Sequence, residues 1–455
     1  MAAVAAQLGA RTVLIERGEM GGECLNTGCV PSKALLAAAK AAQAVRISDR
    51  FGIAASEPRV DFAAVHRHVH GVIAAIAPHD SVERFEALGV EVILAEARFI
   101  GPRHLVAGNR TIRARRIVIA TGSEPAIPPV PGIDAVSYFT NETIFDNDTL
   151  PEHLLIIGGG PIGIELAQAH RRLGAKVTVI EIAKAMPRDD AELGAVLLQR
   201  LAAEGIAVHQ RTEIKAAVPS RPGIALTIAQ DSQESRIGGS HLLIAAGRKP
   251  RTADLNLDRA GVGYDEHGII VDRRLRTSAH GVYAIGDVTN SPRFTHVASY
   301  QAGIVIRNAL FHLPAKVDYA ALPWVTYTDP ELAQVGLTET EARGRLGEDV
   351  AVNRFEFAEN DRAQAERETI GTAKIVTRRN GRILGASILG AHAGELAHVW
   401  VLAIQQGLKL SAIAGMLAPY PTLGEINKMA ASEFYKPRLF GRWARAAVRA
   451  LSRLP

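Results

Sequence analysis

Cysteine is almost missing from this 455-residue chain, which holds only Cys24 and Cys29. Two thiols cannot make a structural disulfide framework, and a reducing cytoplasm is their natural compartment. A structural zinc normally takes four Cys or His ligands. No second cysteine pair exists, and none of the 15 histidines forms a close pair with ligand spacing near this segment, so no metal cofactor site is expected. Long apolar runs are lacking too, and without 18 consecutive apolar residues nothing is expected to span a membrane. The opening MAAVAAQLGARTVLIE lacks the basic region, apolar core and cleavage site of a secretory signal. Aromatics are scarce at 5%, against 41 glycines and 47% hydrophobic residues, a balance that suits α/β layers with tight strand-to-helix turns. Acids are absent from the last 22 residues, which hold Lys436, Arg438, Arg442, Arg445, Arg449 and Arg453. Without those six cations the formal charge of +5 becomes −1, so the basic character belongs to a tail and no nucleic-acid partner is expected.

The two cysteines stand in the string GGECLNTGCVPSK. A disulfide needs Cα atoms about 4.4–6.8 Å apart. Residues five apart on a regular helix are separated by about 7.5 Å along the axis and about 140° around it. The segment must therefore bend, and Asn26, Thr27 and Gly28 tolerate turn geometry. VPSKALLAAAKAAQAV then reads as a helix, which puts Cys29 at or near a helix N-terminus, where the dipole and free N–H groups favour a thiolate. The pair reads as a redox-active dithiol; two buried inert thiols or half of a metal site are the alternatives.

Along the chain, residues 1–16 read as the end of a helix, a turn at Gly9 and the strand RTVLIE. VEVILAEARFI and RRIVIATG follow as strands, the latter ending in a turn at Gly122. At 151 a second unit begins. LLIIGGGPIGIELAQAHRRLGAKVTVIE is strand, glycine turn, helix and strand, and Gly158, Gly160 and Gly163 fit G-x-G-x-x-G. Such glycines let a pyrophosphate approach the backbone at a helix N-terminus. Glu181 ends the second strand, where it would bind a ribose diol and repel a 2′-phosphate, favouring NADH over NADPH. HLLIAAGRKP closes that unit and RTSAHGVYAIGD returns to the first. From about Leu322 an α+β texture begins. The boundaries read as 1–150, 151–270, 271–320 (completing the first unit), 321–433 and a basic tail at 434–455.

Glu16 ends RTVLIE much as Glu181 ends KVTVIE, which implies a second nucleotide site at the front. Its first strand and glycine fingerprint would lie before Met1, so the natural product is expected to start earlier. Taken in order, GGECLNTGCVPSK, IVIATG, GGGPIGIE, AAGRKP, VYAIGD, TDPELAQVG and PYPTLGE make the chain, from Met1 to about 433, resemble the flavin-dependent pyridine nucleotide-disulfide oxidoreductases.

That resemblance implies an α/β fold with two Rossmann-like FAD- and NAD(P)-binding domains and a C-terminal α+β dimerisation domain, assembled as a cytoplasmic homodimer. Cofactors would be FAD and NADH (or NADPH). Glu16 would hold the adenosine ribose of FAD, Asp287 its ribityl-phosphate side, and Lys33, paired with Glu165, would sit beside the flavin ring. Thr121, Gly122 and Gly247 belong to the matching glycine turns. Cys29 would be the flavin-proximal thiol and Cys24 the exchange thiol, relaying two electrons from reduced nucleotide to an acceptor. PYPTLGE would reach the other copy's active site.

The disulfide reductases carry a histidine five residues before a glutamate, where this chain has Tyr420 before Glu425. A phenol of pKa near 10 is a poor proton shuttle at neutral pH. A mercuric-reductase-like or general disulfide or quinone reductase function leads, with tyrosine shared by the mercuric enzymes but not their C-terminal cysteine pair. Dihydrolipoamide dehydrogenase is the runner-up, and a flavin-free dimeric binding protein the reading from another class. In the tail, the arginines recur at steps of three and four, while Leu439, Trp443, Ala446, Ala450 and Leu454 occupy another helical face. Such a helix can lie on an anionic membrane or remain a solvated appendage.

Overall fold

The computed structural model describes residues 1–221, 223–231 and 233–454. The chain divides into two compact units, Met1–Ala183 with His209–Val317, and Lys184–Val208 with Asp318–Pro455.

The first unit contains two related α/β layers. After the helix Ala2–Gln7 and a left-handed turn at Gly9, the strand Thr12–Glu16 pairs in parallel with Val90–Leu94. The run read as one strand over VEVILAEARFI is two. Its second part, Ala97–Gly101, leaves the parallel pair to form an antiparallel ribbon with His104–Ala107 and Arg110–Arg113. A second parallel pair joins Ile117–Ile119 to Val282–Ala284. In the other layer the strand His153–Ile157 lies between Lys176–Glu181 and His241–Ile244, all parallel. These strands are almost fully buried and rich in Leu, Ile and Val, as expected of a sheet covered on both faces.

The second unit is built on a five-stranded antiparallel sheet in the order Pro323–Thr326, Glu331–Gly336, Ile383–Gly390, Thr372–Arg378, Val350–Glu356. Its core centres on Trp400, whose indole N–H donates to Asn427 Oδ1 at 2.7 Å, so the buried polar atom of the ring is satisfied. The helix Ala191–Ala203 groups with this sheet rather than with the parallel layer that precedes it in sequence. Polar contacts join the start of this helix to the sheet. Lys374, 4% exposed at its side chain, meets Asp190 at 2.9 Å, Glu192 at 2.9 Å and Glu339 at 2.8 Å. A buried ammonium of this kind is tolerated only when paired, and deleting one partner of such a set typically costs about 3–5 kcal/mol.

Among the described residues no helix is long and apolar enough to cross a membrane. The basic tail is helical in two pieces, Lys436–Leu439 and Arg442–Leu451, interrupted at Phe440 and Gly441.

Candidate active site

The bend required between the cysteines is present. A short helix, Gly22–Asn26, carries Cys24, the chain breaks at Thr27 and Gly28, and Cys29 opens the 18-residue helix Cys29–Arg46. Gly28 is needed for close approach, since a Cβ there would lie 2.9 Å from the Glu23 carbonyl oxygen and 3.3 Å from Cys24 Cα. Both cysteines are free thiols, and they are electrostatically opposite. The hydrogen bond from Cys24 is the main force lowering Cys29, with help from the Thr295 hydroxyl at 3.3 Å and the charge of Lys33, so its pKa falls to about 6. That same bond, with burial, drives Cys24 well above its ordinary value. One thiol is thus a thiolate at neutral pH and the other its proton donor, as a nucleophilic pair requires.

Lys33 lies one helical turn beyond Cys29, on the same face. Its ammonium donates to Glu165 Oε2 at 2.7 Å across 132 residues, with the Glu165 side chain only 7% exposed. Glu165 rides on the helix Pro161–Leu173, which starts directly after the glycine turn. The lysine and glutamate singled out from the sequence are therefore brought together, next to the dithiol helix.

The glycine turn itself has the division of labour that a pyrophosphate site needs. Gly158 is left-handed (φ 116°), and at Gly163 a Cβ would sit 2.0 Å from the Gly158 carbonyl oxygen, so helix and strand pack too closely for any side chain. At Gly160 nothing lies within 4 Å of a Cβ position, which leaves backbone open to a ligand. Glu181, at the end of the second strand, accepts from Gly159 N at 2.7 Å and Ala183 N at 2.8 Å. These residues fit a nicotinamide dinucleotide. Glu16 is less engaged, its side chain accepting among the described residues only from Gly18 N at 2.8 Å.

Thr121, Gly122 and Asp287 follow the C-terminal ends of the parallel strands Ile117–Ile119 and Val282–Ala284, the edge at which ligands bind in such sheets. Thr121 donates to the Arg251 carbonyl at 2.9 Å, and Gly247 accepts from Ala126 N at 2.9 Å. A polar network not foreseen from the sequence ties this edge to the Cys24 helix. Arg248 pairs with Glu23, donates to Ser123 Oγ at 2.7 Å and to Asn141 Oδ1 at 3.2 Å, and Ser123 donates to Asp287 Oδ2 at 2.9 Å. Asn141 also donates to Glu23 Oε1 at 3.0 Å. Burial pushes the Glu23 carboxyl up while Arg248 pulls it down. No local spacing signals these contacts, which join residues 107–225 positions apart.

In the second unit Tyr420 is 70% exposed, and its hydroxyl donates to Asp361 Oδ2 at 2.8 Å. Glu425, five residues on, begins the helix Glu425–Glu433 and acts on Tyr420 only through its charge. Asp361 raises the phenol above its ordinary value. The tyrosine's hydrogen-bond partner is thus a residue the sequence did not single out.

Comparison with known proteins accords with this geometry. Residues 1–302 match the model for "pyridine nucleotide-disulphide oxidoreductase", and residues 322–431 match the dimerisation domain of that name, which supports a homodimer. The chain is 38% identical to mercuric reductase of Streptomyces lividans over 95% of its own length and 93% of the relative's. Dihydrolipoyl dehydrogenase of Geobacillus stearothermophilus is 35% identical, with 94% and 92% covered. Among solved structures, the Cu(II) complex of the HOCl-induced flavoprotein disulfide reductase RclA from Escherichia coli superposes with a TM-score of 0.85 at 27% identity, covering 95% of this chain and 96% of that one. Family members use FAD and NAD(P)H. With its dithiol, glycine turn and antiparallel C-terminal sheet in the family's order, the chain belongs to the pyridine nucleotide-disulphide oxidoreductases.

Proposed function

We propose that this flavoenzyme uses NADH to reduce a soft metal ion, of the mercuric kind, at the Cys24–Cys29 dithiol in the cytoplasm. The observation that carries the reading is Tyr420, held by Asp361 where an imidazole would serve a disulfide substrate. Opening a disulfide releases a thiolate that needs a proton, and a phenol raised above its ordinary value gives one up poorly. A soft cation needs no proton; two thiolates bind it directly.

FAD, when bound, supplies two-electron transfer between the hydride donor and the dithiol. Glu16, Thr121, Gly122 and Asp287 would hold its ribose and ribityl sides, with Gly247 in the neighbouring turn. Gly158, Gly160, Gly163 and Glu181 would hold NADH, and the Glu181 carboxylate would disfavour a 2′-phosphate. Cys29 is kept ionised first by the Cys24 hydrogen bond, and Lys33, fixed by Glu165, adds a positive charge beside it. Cys24 holds the proton that the pair retains, and loses it when a cation arrives. The balance is NADH plus Hg(II) giving NAD⁺, a proton and Hg(0). Tyr420, presented across the homodimer, would orient the incoming ion through its hydroxyl.

Anaerobic NADH oxidation with a thiol-bound Hg(II) or with lipoamide tests the assignment. Wild type is expected to turn over Hg(II), with lipoamide activity emerging only in Tyr420→His. Lipoamide turnover by wild type at the Hg(II) rate would reassign it as a dihydrolipoyl dehydrogenase, and equal rates in Cys29→Ser would remove the dithiol from the reaction.

A further inference from the structure

The helix Arg442–Leu451 has no buried residue. Placed at 100° per residue, Arg442, Arg445 and Arg449 share one face, while Trp443, Ala444, Ala447, Val448 and Leu451 share the opposite one. The large apolar members are open, Trp443 at 76%, Val448 at 64% and Leu451 at 62%. Leu439, Phe440 and Leu454 beside it are also exposed. The apolar face differs from the one read off a continuous helix, because the break at Phe440 and Gly441 takes Leu439 out of phase, while Ala446 and Ala450 fall toward the flank. Solvent exposure of this much aliphatic and aromatic surface on one face is unfavourable, and such patches mark interaction sites.

Charge decides what covers it. From Phe434 onward there are six cations and no acid, and Lys436 has the only ion pair of the tail among the described residues, to Glu433. The arginines lie on the face opposite the apolar stripe, and Arg442 stacks over the Trp443 ring at 5.2 Å. A tryptophan and aliphatic residues on one face with arginines on the other is the pattern of a helix lying in the headgroup plane of an anionic bilayer, its cations reaching phosphates while the apolar face enters the acyl boundary. We propose that Arg442–Leu451 docks this enzyme on an anionic phospholipid surface. An uncharged lipid surface would leave the arginines uncompensated, and an apolar protein groove would have to supply acids to the arginine face as well.

The test uses the full-length homodimer and vesicles of phosphatidylcholine alone or with 40% phosphatidylglycerol. Sedimentation with the anionic vesicles only, weakening with salt, and a Trp443 emission shift to the blue that is absent in Trp443→Phe are the expected results. Reversing three charges (Arg442→Glu, Arg445→Glu, Arg449→Glu) should lower partitioning by roughly 100-fold, and Val448→Ser with Leu451→Ser should lower it while leaving the salt dependence. NADH oxidation should be unchanged in all these variants, since none lies in the site. Equal binding to neutral and anionic vesicles, no binding, binding untouched by charge reversal, or a rise in oligomer mass without lipid that the Ser pair abolishes would each overturn the proposal.

Discussion

Glu16 and Glu181 end corresponding strands of two related layers, and their surroundings differ. Glu181 clasps the glycine turn in front of it, bonding Gly159 N, because the strand His153–Ile157 that feeds that turn lies directly alongside. The Glu16 side chain has, among the described residues, only the local Gly18 N–H. In the second layer the strand His153–Ile157 has a neighbour on each side within a four-stranded sheet; in the first, the four parallel strands form two separate pairs among the described residues. On the proposed function the work is divided: the second layer would carry the groups that hold the nicotinamide dinucleotide, and the first the Cys24–Cys29 dithiol with Lys33 beside it. A glycine turn leading into a helix N-terminus is what aims backbone N–H groups at a phosphate, and a thiolate likewise depends on a helix start and nearby charges.

This division can be broken from either side. Cys29→Ser should have the largest effect, lowering NADH-dependent Hg(II) reduction at least about 1,000-fold while NADH affinity, measured by fluorescence titration, stays within about twofold. A comparable loss of NADH affinity would mean that the layers are not separable. Conversely, Gly163→Ala should overpack the turn at a cost of about 1–3 kcal/mol and abolish NADH binding, while Cys29 still alkylates at the wild-type rate. Gly160→Ala has room for its methyl and should melt normally, but raise KM for NADH about tenfold as the methyl meets the ligand. Unchanged KM in Gly160→Ala would move the pyrophosphate elsewhere.

The two acids come next in size. Glu181→Gln loses a charge-assisted bond to Gly159 N as well as the ribose contact, so KM for NADH should rise about tenfold and the preference over NADPH should shrink by a similar factor. Glu16→Gln, with its single local bond, should raise the rate of flavin loss only about threefold on the same reasoning. Reversed magnitudes would show that the first layer binds its nucleotide as firmly as the second.

These contrasts also explain what could be read without coordinates. Cys24, Cys29 and the Gly158–Gly163 turn were legible because their chemistry lies within a few residues and is dictated by backbone geometry. The Lys33–Glu165 pair was reached only through the family resemblance, since the two are 132 residues apart. Arg248, Asn141, Thr295 and Asp361 were missed for the same physical reason: each is an ordinary polar residue whose role arises when the fold closes, as when Thr295 reaches Cys29 across 266 positions. The split of Val90–Leu94 from Ala97–Gly101 was hidden because no glycine or proline marks the break at Ala95 and Glu96, and the phase of the tail by a glycine read as helical.

The smallest expected effect is the most discriminating, because it asks whether the second layer reaches into the chemistry of the first. Cys29 titrates near 6, lowered first by Cys24, then by Thr295 and by the charge of Lys33, which Glu165 of the second layer holds in place. Removing anything that stabilises the thiolate must raise this value. In the reduced enzyme, alkylation by iodoacetamide should therefore be half-maximal near pH 6 in wild type, with Cys24 unreactive there because its own pKa is raised. Cys24→Ala should move the midpoint furthest toward the ordinary value of about 8.5. Lys33→Met alone confuses charge with folding, since it strips a nearly buried carboxylate of its lysine, a change that can cost about 3–5 kcal/mol. The double variant Lys33→Met, Glu165→Gln removes both charges, and its midpoint should rise by about half a unit to one unit if the lysine acts on Cys29 through its field. A midpoint that stays at the wild-type value in the double variant would mean that Lys33 serves only to pin the two helices together, and that the thiolate is made entirely within the first layer.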